Sequence, residues 1–341
     1  MKKYGAVISV ILLCFLVLSC YPGQGYAQEQ VISLKYAHLM AASAKQASLA
    51  KLWCDEVEKR TNGKVTVTFY PGGTLSSALK TYDDVVKGLA DVGFSAFGLT
   101  PNRFPLTQFI ELPLGYKNSY VATKLINEYY KKFFPKELED VKVLYLHVAS
   151  PNLLCTSRLV KSLEDIRGMK IRFFGPSLKI ISALGGFPSA VPYPEVSNSL
   201  HKGDIEGVFM TWEGILSSNL AGTIRYVTDN YESAYGLSYF VVMNKNKWNS
   251  LPRDIQDTIE KINEQWIEMT GMAWDDMNQQ GQAAGLSKGV KFISLSNEEK
   301  NKWKDRMRPI FDQYAKDTNT KNPPGERVLR FAVEYLLANQ R

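Results

Sequence analysis

The chain has 341 residues, of which 45% are hydrophobic and 22% charged. That excludes a disordered or collagenous chain and leaves length for two domains at roughly 100–200 residues each. A formal net charge of +7 is scattered without the clustered Lys/Arg stripe of a nucleic-acid binder, so no nucleic-acid partner is expected and an anionic small ligand suits the balance better.

MKKYGAVISVILLCFLVLSC opens the chain with two lysines and an apolar run from about Ala6 to Leu18, too short for a permanent membrane anchor. Pro22 and Gly23 break the run, and Gly25-Tyr26-Ala27 places small residues where a signal peptidase reads. Residues 1–27 are therefore expected to be a signal peptide. Val17-Leu18-Ser19-Cys20 supports a second reading, a lipobox in which Cys20 becomes a lipid-anchored N-terminus. Either way the protein is exported, and no later stretch of about 18 apolar residues would cross a membrane. Export permits a disulfide. Cys54 and Cys155, however, fall in a helical and a strand-like pattern far apart, and two buried free thiols are expected.

ISLKYA from Ile32 reads as a strand, and Ser43 to Arg60 as a helix with Ala47, Ala50, Leu52, Trp53 and Val57 on its apolar stripe. Asn62-Gly63 stops it. KVTVTFY alternates as a second strand, Pro71-Gly72-Gly73 turns the chain, and Thr81 to Lys87 gives a helix ended by Gly88. Asp91 to Phe94 is a third strand. Strand, helix, strand, helix, strand is the signature of a parallel sheet covered by helices.

After VKVLYLHVA (141–149), a run long enough to pass between two domains, the pattern restarts. Leu153 to Thr156, Met169 to Phe173, Ser189 to Val191 and Glu206 to Met210 read as strands. SLEDIRG reads as a short helix capped by Ser162, and further helices span Pro176 to Leu184 and Pro194 to His201. KGLADVGFSAF from Lys87 and KGDIEGVFMTW from Lys202 are near-copies at equivalent places: the last strand of each half and the loop beyond it. Ligands of open α/β sheets bind beyond the carboxyl ends of strands. Two facing sheets would put Ser95 and Phe97 on one wall of a cleft and Phe209, Trp212 and Glu213 on the other. His38 also ends a strand and is a candidate for the same cleft. His147, inside the crossing strand, reads as structural. Tyr239 to Asn244 is a second crossing. Ile255, Ile259, Ile262, Trp266, Met269, Ala273 and Met277 then mark a helix from Pro252 to about Ala284, long enough to brace both halves. A coiled-coil dimer helix is the alternative reading. Two amphipathic helices flank Asn322-Pro323-Pro324-Gly325.

Enzyme signals are missing: there is no HExxH, CxxC, phosphate loop or GxGxxG, and GFSAFG has one residue too many for a nucleophile elbow. The three histidines lack metal spacing. Arg172 stands inside the apolar run MKIRFF, where a charge is costly unless paired. Either it pairs with a carboxylate such as Glu195, or it faces the cleft and takes a ligand carboxylate with its planar fork. Arg103 and Arg158 lie in loops and offer no equal second cation.

SLEDIRGMKIRFFGPSLKIISALGGFPSAVPYPEVSNSLHKGDIEGV, together with YPGGTLSS and VVKGLADVG, resembles the DctP family, the solute receptors of tripartite ATP-independent periplasmic (TRAP) transporters, over nearly the whole mature chain. The resemblance implies an α/β two-domain periplasmic binding protein with a central ligand cleft and a long bracing helix. It implies a monomer that closes around an organic acid and delivers it to membrane permease subunits, with no catalytic residue and no cofactor. On this reading domain I is 28–149 plus about 238–270, and domain II is 150–237 plus about 271–341. Arg172 matches the family's carboxylate-binding arginine, and Tyr193 an aromatic position that packs on the ligand. Where many sialic-acid and C4-dicarboxylate receptors have Gln-Glu-Asn after the position of Gly207, this chain reads Val208-Phe209-Met210-Thr211-Trp212-Glu213, which puts those substrates in doubt. A keto-acid subgroup uses Glu-Trp around a metal. The order here is Trp-Glu, leaving a metal as the lesser alternative. The aromatics of the proposed walls favour a monocarboxylate with an apolar or aromatic body. The competing class is a secreted α/β hydrolase or lyase acting on a small carboxylate.

Overall fold

The computed structural model describes residues 31–340. The expected leader and Cys20 lie outside the described residues. Two sheets form the frame. The first runs, in space, Val65–Tyr70, Ile32–His38, Val92–Ala96, Ser238–Asn244, Val141–Val148. Its first three strands are parallel, and Ser238–Asn244 is antiparallel to both neighbours. The second runs Lys291–Ser294, Tyr226–Asp229, Leu153–Thr156, Gly207–Met210, Lys170–Arg172, Phe187–Ser189.

Each sheet contains the same parallel trio. Ile32–His38 lies between Val65–Tyr70 and Val92–Ala96, as Lys170–Arg172 lies between Phe187–Ser189 and Gly207–Met210. The duplicated phrase supplies the third strand of each trio, and the packing says why it recurs. Gly88 and Gly203 follow the helices Thr81–Val86 and Val196–Lys202 in the left-handed region, at φ 75° and 79°, where a Cβ is strained. Three residues on, an acidic side chain clamps the adjacent strand. Asp91 accepts from the Lys35 N–H at 2.7 Å, and Glu206 from the Lys170 N–H at 3.1 Å. The backbone N–H of each donates back to the same lysine's carbonyl, at 3.0 and 2.8 Å.

The halves are joined by two segments that pair with each other. Ala149 N–H donates to Leu237 and Asn152 N–H to Tyr235, both at 2.8 Å. These are the crossings the sequence placed near 149 and 239. The long helix spans Arg253–Ser287. Ile255, Ile259, Ile262 and Trp266 enter the core of the first half beside Trp53 and Val241. Trp53 Nε1 donates to Asn263 Oδ1 and Trp266 Nε1 to the Leu49 carbonyl, both at 3.0 Å.

Several elements differ from expectation. The strand expected over 189–191 is Phe187–Ser189. Helix Ser119–Phe133 and strands Tyr226–Asp229 and Lys291–Ser294 were not anticipated. The tail is split between halves. Trp303, Met307 and Ile310 of helix Asn297–Thr318 pack in the second half. Val328, Ala332 and Leu336 of helix Gly325–Asn339 instead join the first core, against Phe133 and Tyr129. The last helix thus does not sit with the second half, because its apolar stripe is complementary to helix Ser119–Phe133. Cys54 and Cys155 are buried free thiols. Burial pushes Cys54 up to about 12 and Cys155 higher still. No helix among the described residues is long and apolar enough to cross a membrane.

Candidate functional site

Between the halves lies a cavity of about 500 Å³, within the range of small-molecule sites. The first half contributes Met40, Lys45, Gln46 and Tyr239. The second contributes Asn152, Arg172, Phe174, Tyr193, Phe209, Glu213 and Tyr235, and the long helix adds Trp274 and Met277.

Arg172 ends its strand, in register with Val208 and Ser189, so it emerges at the carboxyl edge of the sheet. It is buried, at 8% exposure. Its Nε donates to the Val191 carbonyl at 3.0 Å, and its guanidinium carbon stands 5.6 Å from the Phe174 ring and 5.7 Å from that of Tyr193. Among the described residues no carboxylate lies within ion-pair distance, and Glu195 is exposed and unengaged with it. Burial lowers its pKa from the ordinary arginine value, opposed by nearby Tyr235 and Tyr193. A desolvated guanidinium whose terminal nitrogens have no protein acceptor is arranged to receive a planar anion.

Aromatic rings pile up behind the opposite wall. Trp274 stacks on Tyr239 at 5.7 Å, Tyr239 on His147 at 5.1 Å, His147 on Phe94 at 5.3 Å and Phe94 on His38 at 4.1 Å. Trp274 Nε1 donates to His147 Nδ1 at 3.0 Å, which places any ring proton of neutral His147 on Nε2. Desolvation pushes His38 down to about 4 and His147 to about 3. Both are neutral structural rings.

The structure brings Arg172, Tyr193, Phe209 and Glu213 to the cavity and withholds four other candidates. His38 is fully packed in the ring pile, and its Nδ1 is engaged with the Met40 backbone. Ser95 is buried and donates to the Ala78 carbonyl at 2.7 Å. Phe97 turns into the first core, 5.0 Å from Phe104 and 5.2 Å from Phe240. Trp212 is buried under the long helix against Gly285 and Phe292. The two trios therefore match as backbones, but only the second turns side chains of its third strand into the cleft.

Sequence reasoning missed Asn152, Tyr235, Trp274, Met277 and Lys45. The signal available was topological: a crossing between halves must pass the cleft, and both Asn152 and Tyr235 lie on crossings. Asn152 Nδ2 donates to the Tyr235 carbonyl at 3.0 Å, and Tyr235 hydroxyl to the Phe174 carbonyl at 3.2 Å. Lys45 is a second cation at the cleft, but it is half-exposed and already paired with Asp276. Arg103 and Arg158 are held by Asp83 at 2.7 Å and Glu206 at 2.9 Å. Among the described residues no group of three or more His, Cys, Asp or Glu side chains is arranged to hold a metal ion.

Comparison with known proteins bears on the fold and the family. Residues 36–317 match DctP, the bacterial extracellular solute-binding protein family 7. A TRAP periplasmic solute binding protein of Desulfovibrio salexigens is 32% identical, with a TM-score of 0.87, 91% of this chain and 97% of that one being covered. A marine-metagenome TRAP solute binding protein, described as specific for aromatic acid ligands and solved with metahydroxyphenylacetate, is 25% identical with a TM-score of 0.80, covering 91% of this chain and 100% of that one. The C4-dicarboxylate-binding periplasmic protein DctP of Shewanella loihica is 26% identical over 296 residues, 82% of this chain and 84% of its own length. These are transport receptors, so the hydrolase or lyase reading falls away. The two-sheet fold, the cleft and the match over most of its length place the chain in the DctP family of TRAP-transporter solute-binding proteins.

Proposed function

We propose that this receptor captures a monocarboxylate with an apolar or aromatic body, and that Arg172 takes the carboxylate through two parallel N–H bonds. The observation that carries the reading is a buried guanidinium, in a ligand-sized cavity, with no carboxylate among the described residues to neutralise it. Its ring neighbours Phe174 and Tyr193, with Phe209, Tyr235, Tyr239 and Trp274, offer apolar faces for the body. Two features weigh against a dicarboxylate. Lys45 is already paired, and Glu213 brings a like charge to the wall that a second ligand carboxylate would face. Glu213 is better suited to accept a hydroxyl of the ligand. Of the two relatives near 25% identity, the marine protein's aromatic-acid specificity fits this lining better than the Shewanella protein's C4-dicarboxylates do.

The halves act as domains closing about the paired crossings, and the loaded receptor delivers its acid to the membrane permease of its transporter. It works in the periplasm, exported by residues 1–27 or tethered through Cys20. Its monomeric state is favoured by the long helix, whose apolar residues Ile255, Ile259 and Ile262 are spent inside the chain. Calorimetric titration of wild type and Arg172→Lys with 3-hydroxyphenylacetate and with succinate tests the reading. The aromatic acid binds the wild type, and the variant binds it roughly 30-fold more weakly, about 2 kcal/mol, because an ammonium lacks the planar fork. Tighter binding of succinate, or an unchanged variant, contradicts it.

A further inference from the structure

Behind Tyr193 lies a second, smaller cavity of about 220 Å³, lined by Pro194, Val196 and Leu220 with the hydroxyl groups of Ser197, Ser217 and Ser218. It touches the main cleft at two residues, Tyr193 and Met210, which line both spaces. Tyr193 is the partition. Its ring faces the Arg172 guanidinium on the cleft side, and its hydroxyl is hydrogen-bonded to Ser218, the residue that ends helix Trp212–Ser217. Among the described residues that is the single side-chain hydrogen bond holding the ring, which is otherwise 55% exposed.

A partition on one hydrogen bond costs little to move, since a neutral bond at an exposed site contributes only about 1 kcal/mol net. The space behind it is large enough to matter, because a cavity of about 150 Å³ accepts a benzene ring. Its Pro, Val, Leu and Met walls suit an apolar group. Resting on the reading of Arg172 as the carboxylate anchor, we propose that this cavity is a subsite for the distal end of longer acids, reached when Tyr193 leaves Ser218 and turns aside. The ligand class then extends beyond benzoate-sized acids to ω-arylalkanoates whose chain spans from Arg172 past the Tyr193 ring.

The test uses phenylacetate and 5-phenylpentanoate with wild type, Ser197→Trp, Ser218→Ala and Arg172→Ala. Ser197 is exposed at the rim, so a tryptophan there fills the subsite without disturbing a core. Ser197→Trp weakens 5-phenylpentanoate about tenfold and phenylacetate less than twofold. Ser218→Ala, which frees the partition, strengthens the long acid about threefold and leaves the short one unchanged. If Arg172→Ala abolishes binding of both acids while Ser197→Trp affects neither, or both equally, the subsite is overturned and the anchor stands. If neither acid binds the wild type, or Arg172→Ala leaves both intact, the anchor fails and the subsite with it.

Discussion

Glu111 shows how a residue far from the ligand sets the conditions under which the frame is stable. Buried where the second crossing enters the first sheet, it accepts from the Ser238 N–H at 3.0 Å and the Ser238 hydroxyl at 2.6 Å. Burial raises its pKa from an ordinary 4.5 to about 7, against the lowering effect of those two bonds. The folded state therefore holds a proton there that the unfolded state releases above about 4.5. The stabilisation is full below that pH and is lost as pH rises through about 7. His38 and His147 act oppositely. Their folded values near 4 and 3 lie below the ordinary 6.5, so their contribution is present above 6.5 and lost as pH falls toward those values. Comparing wild type with Glu111→Gln isolates the carboxyl. From pH 5 to pH 8 the difference in denaturation free energy should move in the variant's favour by roughly 2.5 kcal/mol. A pH-independent difference would show that Glu111 does not titrate in this window. At this scale the sequence was half legible. Arg172 announced itself as a charge in an apolar strand. Ser95 misled because a strand buried on both faces does not reveal which face meets the cleft, and Phe97 and Trp212 because each opens a helical turn just past its strand and turns into the core.

The long helix is the element that ties the two halves together, and it does so through small residues. Gly271 lies against the Tyr120 backbone of helix Ser119–Phe133, where an added Cβ would come within 2.8 Å of Tyr120 Cα. Gly281 lies against the second half, where a Cβ would stand 2.5 Å from the Trp212 carbonyl carbon and oxygen and 2.6 Å from Glu213 N. Asn278 Oδ1 accepts from Trp212 N–H at 2.9 Å, fixing that contact. Backbone cannot yield cheaply, so Gly281→Ala should cost about 1–3 kcal/mol by overpacking, in spite of alanine's helix preference of about 1 kcal/mol. It should also weaken ligand binding, because Glu213 moves with Trp212. Gly222→Ala, with open space around its Cβ position, is the control and should be near neutral by chemical denaturation. Equal stabilities for the two variants would remove the close-contact account. The helix itself was legible from its three- and four-residue apolar steps. Its glycines were not, since only the partner helix gives them a purpose. Strands Tyr226–Asp229 and Lys291–Ser294 escaped for another reason: four-residue strands near a sheet edge carry too little alternation to stand out.

For the whole molecule, the repeated phrase was the strongest clue in the sequence, and the structure gives it a mechanical meaning: a glycine stop and an acidic clamp, used once in each sheet. Two such sheets, joined by paired crossings and spanned by one helix, leave a cavity with Arg172 on one wall and, on the other, a Lys45 already paired with Asp276. A ligand that binds only this folded arrangement stabilises it by mass action, about 2.7 kcal/mol at a hundredfold excess over Kd. The most direct measurement is therefore the identity of the small molecule released when the protein, purified natively from the periplasm, is denatured and the supernatant is read by mass spectrometry. The account predicts a monocarboxylic acid with an aromatic or branched apolar body, near one per chain. A C4-dicarboxylate or a sugar acid in that position would contradict it.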